Sequence, residues 1–287
     1  MSPNKSKSVL LIAGPTASGK SAVAIAQARL RGGVIINADS MQVYRELRII
    51  TARPSVEDEA QTPHRMFGHI GGADYYSAAT WLAQAETEIE TCWASGQLPI
   101  ICGGTGLYFT ALEQGLAKLP PIDPEIRDKW RNFQGNLHVE LEQRHPESAV
   151  RLNAADRQRL IRSLEVIEST GKPLIEWQKK AHNDSILKAA NVERMFMDVP
   201  RDELYARAER RFDQMLEQGG LDEIRSLPPL NPAQPLMKAI GVPELLAYFK
   251  GEITLESAKI KSKTATRHYI KRQMTWFRGQ MTGWQLT

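Results

Sequence analysis

Apolar residues first concentrate at Val9–Ala13, a continuous run closed by Gly14-Pro15. A short unbroken apolar run of this kind reads as a strand buried on both faces. Ser21–Leu30 reads as a helix and Val34–Ala38 as a second strand. Ser77 is an N-cap candidate. After it, Leu82, Ala85, Ile89 and Trp93 recur at helical spacing until Gly96 ends the pattern. Pro99–Cys102 is a third apolar strand. Strand and helix alternate, which predicts an α/β fold with a central parallel sheet.

The alternation stops near Pro120. From there to Val192 the pattern is helical, with no convincing strand. Asp156 can cap a helix whose face is Leu160, Leu164 and Ile167, and Gly171 and Pro173 stop it. Arg194–Pro200 reads as a return to the sheet. The helix after it carries Leu204, Ala208 and Met215 and ends at Gly219. The expected organisation is an α/β core from residues 1–119 and 193–287, interrupted by an all-helical insert over 120–192. Neither internal repeats nor low-complexity stretches occur.

Composition narrows the class. At 42% hydrophobic and 24% charged residues the chain can build an ordinary core. No apolar run approaches the ~18 residues of a membrane span, so no membrane association is expected. The start of the chain has an apolar run but no small-residue cleavage site, and reads as a first strand rather than a signal peptide. Cys92 and Cys102 lack metal-ligand spacing and fit a reducing cytoplasm. The six histidines form no ligand pattern. Net charge is +4, unevenly placed: from Ser257 to Thr287 there is no acid, while Lys259, Lys261, Lys263, Arg267, Lys271, Arg272 and Arg278 all fall there. Lys263, Arg267 and Lys271 form a basic stripe at helical spacing, apart from an apolar stripe of Ile270, Met274 and Phe277. Such a tail raises the odds of phosphate-backbone contact. Tyr269 and Trp276 read as packing residues.

Gly14-Pro15-Thr16-Ala17-Ser18-Gly19-Lys20-Ser21 fits G-x-x-x-x-G-K-[ST] between a strand and a helix. Glycines there let backbone amides converge on phosphate oxygens at a helix N-terminus. Lys20 supplies charge and Ser21 can ligate Mg²⁺. A diphosphate satisfies this loop as well as a triphosphate. Asp39 lies just past the second strand, where ligands of open α/β sheets collect. It reads equally as a general base and as the cap of a turn. After the third strand comes Gly103-Gly104-Thr105-Gly106, where a nucleotide-hydrolysing P-loop protein often has a carboxylate.

Taken in order, "GPTASGKS", "DSMQVYR", "PHRMFGHI", "GGTGLYF", "DRQRLIRSLEVIESTGKPL", "RRFDQMLEQGG", "KAIGVPEL" and "TRHYIKRQMTWFR" resemble the bacterial tRNA dimethylallyltransferases, also called tRNA isopentenyltransferases. The resemblance implies a P-loop NTPase-like core and transfer of a dimethylallyl group from dimethylallyl diphosphate to the exocyclic N6 amine of the adenosine 3′-adjacent to the anticodon, releasing pyrophosphate with Mg²⁺ as cofactor. It implies that Gly14–Ser21 hold the diphosphate, with Ser21 on the metal. Asp39 is then the base, with Lys20, Arg211 and Thr105 also catalytic. Arg207 and Arg210 neighbour Arg211 on the same predicted helix. The tRNA contacts implied are Asp39, Ser40, Met41, Gln42, Thr105, Arg127, Gln158, Arg159, Leu160, Ile161, Arg162, Arg267 and Lys271. A monomer gripping the anticodon stem-loop is expected. The chain departs from the family pattern at Ile50, Arg53 and Arg65, none of which falls on the chemistry. Rival readings are a P-loop small-molecule kinase, a prenyltransferase of free adenine nucleotides and a non-catalytic RNA-binding module. The first two leave the insert and the acid-free tail without a use, and the third leaves the P-loop without one.

Overall fold

The structure, a computed structural model, describes residues 7–180 and 185–287. The reading of residues 1–6 lies outside it. The elements of the first half run β1 (Ser8–Ala13), α1 (Lys20–Arg31), β2 (Gly33–Asn37), α2 (Val56–Gln61), β3 (His64–Arg65), α3 (Ala78–Ala94), β4 (Leu98–Gly103) and α4 (Gly106–Gln114). Five helices follow: α5 (Pro124–Asn132), α6 (Leu137–Arg144), α7 (Pro146–Arg151), α8 (Arg157–Thr170) and α9 (Leu174–Lys180). The chain then returns through β5 (Asn191–Phe196), α10 (Arg201–Met215), α11 (Leu221–Arg225), α12 (Val242–Phe249), α13 (Leu255–Gln280) and β6 (Gln285–Leu286).

Two compact units result, residues 1–113 with 186–287 and residues 114–185. The first holds a six-stranded parallel sheet in the order β3-β2-β4-β1-β5-β6. The α/β class expected from the alternation is the class found. β3 and β6, of two residues each, were not foreseen, because so short a segment carries no periodicity. β1 is central, and Val9 to Ala13 are fully buried between two layers. Leu11 and Ala13 face a cluster with Trp81, Ile89 and Phe109, while Leu10 and Ile12 face Ala24, Ala28 and Met197. Each large aliphatic side chain so buried contributes on the order of 1.5–3 kcal/mol. That is why this segment cannot slip by one residue without exposing apolar groups.

The long helix α13 runs against α10, joined by Leu204, Ala208, Ile270 and Met274, with Ala17 of the P-loop packed on the same cluster. The stop foreseen at Gly219 is found: Gly219 takes φ 104°, a non-helical kink between α10 and α11.

The second unit has its own core of Trp130, Leu137, Leu141, Ala149, Leu160 and Leu164. Asp156 caps α8 through Arg159 N–H, and Gly171, left-handed, ends it, as the sequence predicts. Among the described residues no helix is long and apolar enough to cross a membrane.

Candidate active site

Three loops leave the C-terminal ends of adjacent strands, where a parallel sheet gathers its ligands. The P-loop leaves β1, the Asp39 loop leaves β2, and Gly103–Gly106 leaves β4. In the P-loop Ala17 and Gly19 adopt φ 65° and 88°. Left-handed residues interleaved with ordinary ones turn successive amides toward one point, a concavity suited to an anion. α1 begins immediately, so its positive end faces the same point. The hydroxyl of Ser18 is buried with no hydrogen-bond partner. An unmade bond at such a place is costly unless a ligand accepts it.

Lys20 Nζ donates to the Pro15 carbonyl at 3.3 Å. Burial lowers its pKa, with the neighbouring Cys102 and Asp39 opposing the drop and Arg211 adding to it. Arg211 is likewise lowered by burial and supported by the charge of Asp39. Its Nη2 donates to Thr16 Oγ1 at 2.5 Å. Lys20 and Arg211, far apart in sequence, thus share one region with a single carboxylate between their fields. Among Arg207, Arg210 and Arg211 on α10, the pairing with Thr16 singles out Arg211; Arg207 is engaged with Glu203 on the helix surface.

Asp39 is held by its neighbour Asn37, which is fully buried. Asn37 Oδ1 accepts from Asp39 N–H at 2.8 Å and its Nδ2 donates to the Asp39 carbonyl at 2.9 Å. Asp39 Oδ1 accepts from Met41 N–H at 2.9 Å. One oxygen therefore closes a turn, as the capping reading requires. Thr105 N–H donates to the Ala38 carbonyl, and Thr105 Oγ1 accepts from Ser40 N–H at 2.9 Å. The β2 and β4 loops are stitched together at these two points.

Two side chains read as something else, or not at all, belong here. Tyr269 reads from the sequence as packing. Burial and then the charge of Asp39 raise its pKa above the ordinary tyrosine value, opposed in part by Arg272 and then by Thr105, so it stands protonated near Asp39 and Thr105. Gln273 is 5% exposed. Its Oε1 accepts from Thr16 N–H at 2.9 Å and its Nε2 donates to the Gly104 carbonyl at 2.9 Å. The available signal was a polar residue set inside the apolar stripe of Ile270, Met274 and Phe277.

The other expected contact residues sit as follows. Gln42 Nε2 donates to the carbonyls of Thr51 and Ala52, and Gln42 also lines a narrow cavity with Lys20, Ser21, His64 and Cys102. Burial pushes the Cys102 thiol up to about 11. Lys263 is bonded to Asp213, and Arg267 to Glu209 at 2.7 Å, both acids on α10. The basic stripe is therefore partly neutralised from the facing helix, while Lys271 is exposed. The larger hollow, about 510 Å³, lies along α13 rather than over the P-loop and is lined by His268, Lys271, Arg272, Thr275 and Trp276.

In the helical unit Gln158 and Arg159 are exposed and Arg127, Ile161 and Arg162 half-buried. Leu160 departs from the expectation of a surface contact. It is 1% exposed and belongs to that unit's core, because position 160 lies on the apolar face with Leu164.

The departures from the family pattern are accommodated locally. Ile50 packs with Phe212 and Met215, Arg53 Nη1 donates to the Tyr44 carbonyl at 3.1 Å, and exposed Arg65 lies 3.9 Å from Glu88. The segment around Ile50 is pinned by Glu223, whose carboxylate accepts from the N–H groups of Arg48, Ile49 and Ile50. Nothing in the local sequence marked Glu223.

Comparison with known proteins identifies the family. Residues 42–280 match the family model described as IPP transferase, and residues 7–69 that of isopentenyl transferase. A tRNA dimethylallyltransferase of Azorhizobium caulinodans is 49% identical over 96% of this chain and 90% of its own length. One from Rhodopseudomonas palustris is 48% identical over 95% and 87%. Among solved structures, the full-length tRNA isopentenylpyrophosphate transferase of Bacillus halodurans aligns with TM-score 0.69 and 32% identity, covering 98% of this chain and 89% of that one. A eukaryotic dimethylallyltransferase captured acting on tRNA aligns with TM-score 0.81 and 28% identity, over 95% and 70%. The chain belongs to the IPP transferase family, that of the tRNA dimethylallyltransferases.

Proposed function

We propose that this enzyme moves a dimethylallyl group from dimethylallyl diphosphate to the exocyclic N6 amine of the adenosine 3′-adjacent to the anticodon of a tRNA. The observation that carries the reading is the convergence of Lys20, Arg211 and the P-loop amides on a region that also holds Asp39. A carbon–nitrogen bond forms, the carbon–oxygen bond to the diphosphate breaks, and the amine proton goes to Asp39. The amine is a weak nucleophile because its lone pair is delocalised into the ring, so a base within reach as the bond forms lowers the barrier. Charge builds on the departing pyrophosphate, and Lys20 and Arg211 are partly desolvated cations already in place to receive it. Thr105, tied to Ser40, and Tyr269 line the side from which the base arrives. The relatives' names point to tRNA as acceptor.

Mg²⁺ fits the donor chemistry. Among the described residues no group of three His, Cys, Asp or Glu could hold a metal ion alone. The hydroxyl of Ser21 stands at the start of α1, beside an anion cradle. Magnesium favours this kind of site, shared between one or two protein oxygens and substrate phosphates. When bound it neutralises charge on the leaving diphosphate.

The tRNA contacts we assign are Asp39, Ser40, Met41, Gln42 and Thr105 in the core, Arg127, Gln158, Arg159, Ile161 and Arg162 in the helical unit, and Arg267 and Lys271 on α13. The base must leave its stack to reach a site at strand ends. We place the enzyme in the cytoplasm as a monomer, in keeping with its two free, buried cysteines. The test mixes purified protein, Mg²⁺, labelled dimethylallyl diphosphate and unmodified tRNA, with AMP as a competing acceptor and labelled ATP in parallel. Label on tRNA alone is expected. Phosphate transfer from ATP, or prenylation of AMP, overturns the reading.

A further inference from the structure

α13 has two faces with opposite chemistry. Outward it shows Lys271, Arg272 and Arg278; inward it buries Ile270, Met274 and Phe277. Gln273 is placed on the inward side, where an amide without partners would be expensive. Its partners come from two different loops. Thr16 N–H belongs to the phosphate cradle and the Gly104 carbonyl to the β4 loop. Both amide ends are used, each at 2.9 Å. The approach is close: a Cβ on Gly104 would stand 2.4 Å from Gln273 Nε2.

What the clamp joins gives it consequence. Thr16 also receives Arg211 on its hydroxyl. Gly104 precedes Thr105, which receives Ser40 N–H and, through Ala38, ties down the loop of Asp39. A single amide thus lies between the residues assigned to the leaving group and those assigned to the base. With its own N–H committed to Gln273, Thr16 presents its hydroxyl to Arg211.

We propose that Gln273 is a positioning residue, which sets the separation between the diphosphate cradle and the Thr105–Asp39 side of the site without touching substrate. The inference rests on the reading of the P-loop as the diphosphate site. Loss of the clamp loosens the cradle and the reacting geometry. The affinity for tRNA, made largely of phosphate-backbone contacts, is left in place.

The experiment compares wild type, Gln273→Met, Gln273→Leu, Gly104→Ala and the double variant Gln273→Met/Gly104→Ala. Thermal unfolding establishes that each is folded. KM for dimethylallyl diphosphate and kcat come from initial rates, and Kd for tRNA from filter binding. Gln273→Met keeps length and burial but makes neither bond. It is expected to raise the donor KM roughly tenfold, the scale of two lost neutral hydrogen bonds, and to lower kcat, with tRNA Kd within about twofold. Gly104→Ala pushes the amide away from the other side and should reproduce the effect. The double variant should add little, since both changes remove one interaction. If neither glutamine variant folds, Gly104→Ala carries the comparison. A donor KM unchanged in a folded variant overturns the proposal, as does a loss confined to tRNA binding or full additivity in the double variant. Wild type that fails to use dimethylallyl diphosphate would instead bring down the reading of the P-loop on which the proposal rests.

Discussion

The cations of the core site and those of the helical unit are held in opposite ways. Lys20 and Arg211 are half-buried, desolvation lowers the pKa of each, and one carboxylate, Asp39, influences both. Arg159, exposed, and Arg162, half-buried, in the helical unit each have an acid of their own nearby, Asp156 and Glu165. Arg267 on α13 also has an acid of its own, Glu209 on the facing helix α10. A desolvated cation without a paired counter-ion is unfavourable for folding and is retained where a ligand supplies the charge. A surface cation with a local acid contributes little to stability and can exchange that acid for a phosphate. The core site is therefore organised for one compact polyanion. The helical unit and α13 suit an extended one, whose contacts are many and individually weak.

The contrast can be broken by experiment. Asp39→Ala should slow transfer by about 10²–10⁴ with tRNA affinity nearly unchanged. Wild-type turnover in single-turnover assays would remove Asp39 from the base role. Arg211→Ala should lower kcat by on the order of 10². A similar loss from Arg207→Ala would mean that the wrong arginine had been singled out. In the helical unit, Trp130 is buried in the core and donates to Glu168. Trp130→Ala should cost that unit about 3–5 kcal/mol and weaken tRNA binding, while pyrophosphate affinity, measured by calorimetry, stays as in wild type. A parallel loss of pyrophosphate affinity would show that the two regions do not divide the work.

Smaller effects test the surface cations. Lys271→Gln should reduce the salt slope of tRNA binding by about one. Glu209→Gln frees Arg267 and should tighten tRNA binding a few-fold; an unchanged Kd would mean the ion pair persists in the complex. The smallest effect is on pH. Because burial holds Lys20 below the ordinary lysine value of 10.5, its proton leaves earlier as pH rises. The kcat/KM for the prenyl donor, which reports the free enzyme, should then fall on the alkaline side before a surface lysine would titrate. Lys20→Arg, slower overall, should lack that limb.

Much of this was legible in local pattern. The P-loop, the placement of Asp39 after β2 and the Asp156 cap of α8 each depend on a few adjacent residues whose backbone preferences are strong. The parts that were not legible are long-range. Leu160 sits in a motif that invites a surface role, yet its helical phase places it with Trp130 and Leu164. Lys263 and Arg267 read as a free basic stripe until α10 brings Asp213 and Glu209 against them. Tyr269 reads as packing until the fold sets it by Thr105.

By itself, then, the sequence determined the class of fold, the phosphate cradle, the carboxylate beside it and the family. These rest on short-range sterics and on ordered motifs. Only the tertiary structure decided which charges are free and which are neutralised, and that the amide of Gln273 joins Thr16 to Gly104 across 257 and 169 residues of chain. The physical reason is that electrostatics and hydrogen bonding act over a few ångströms in space, and folding alone determines which residues come within that reach.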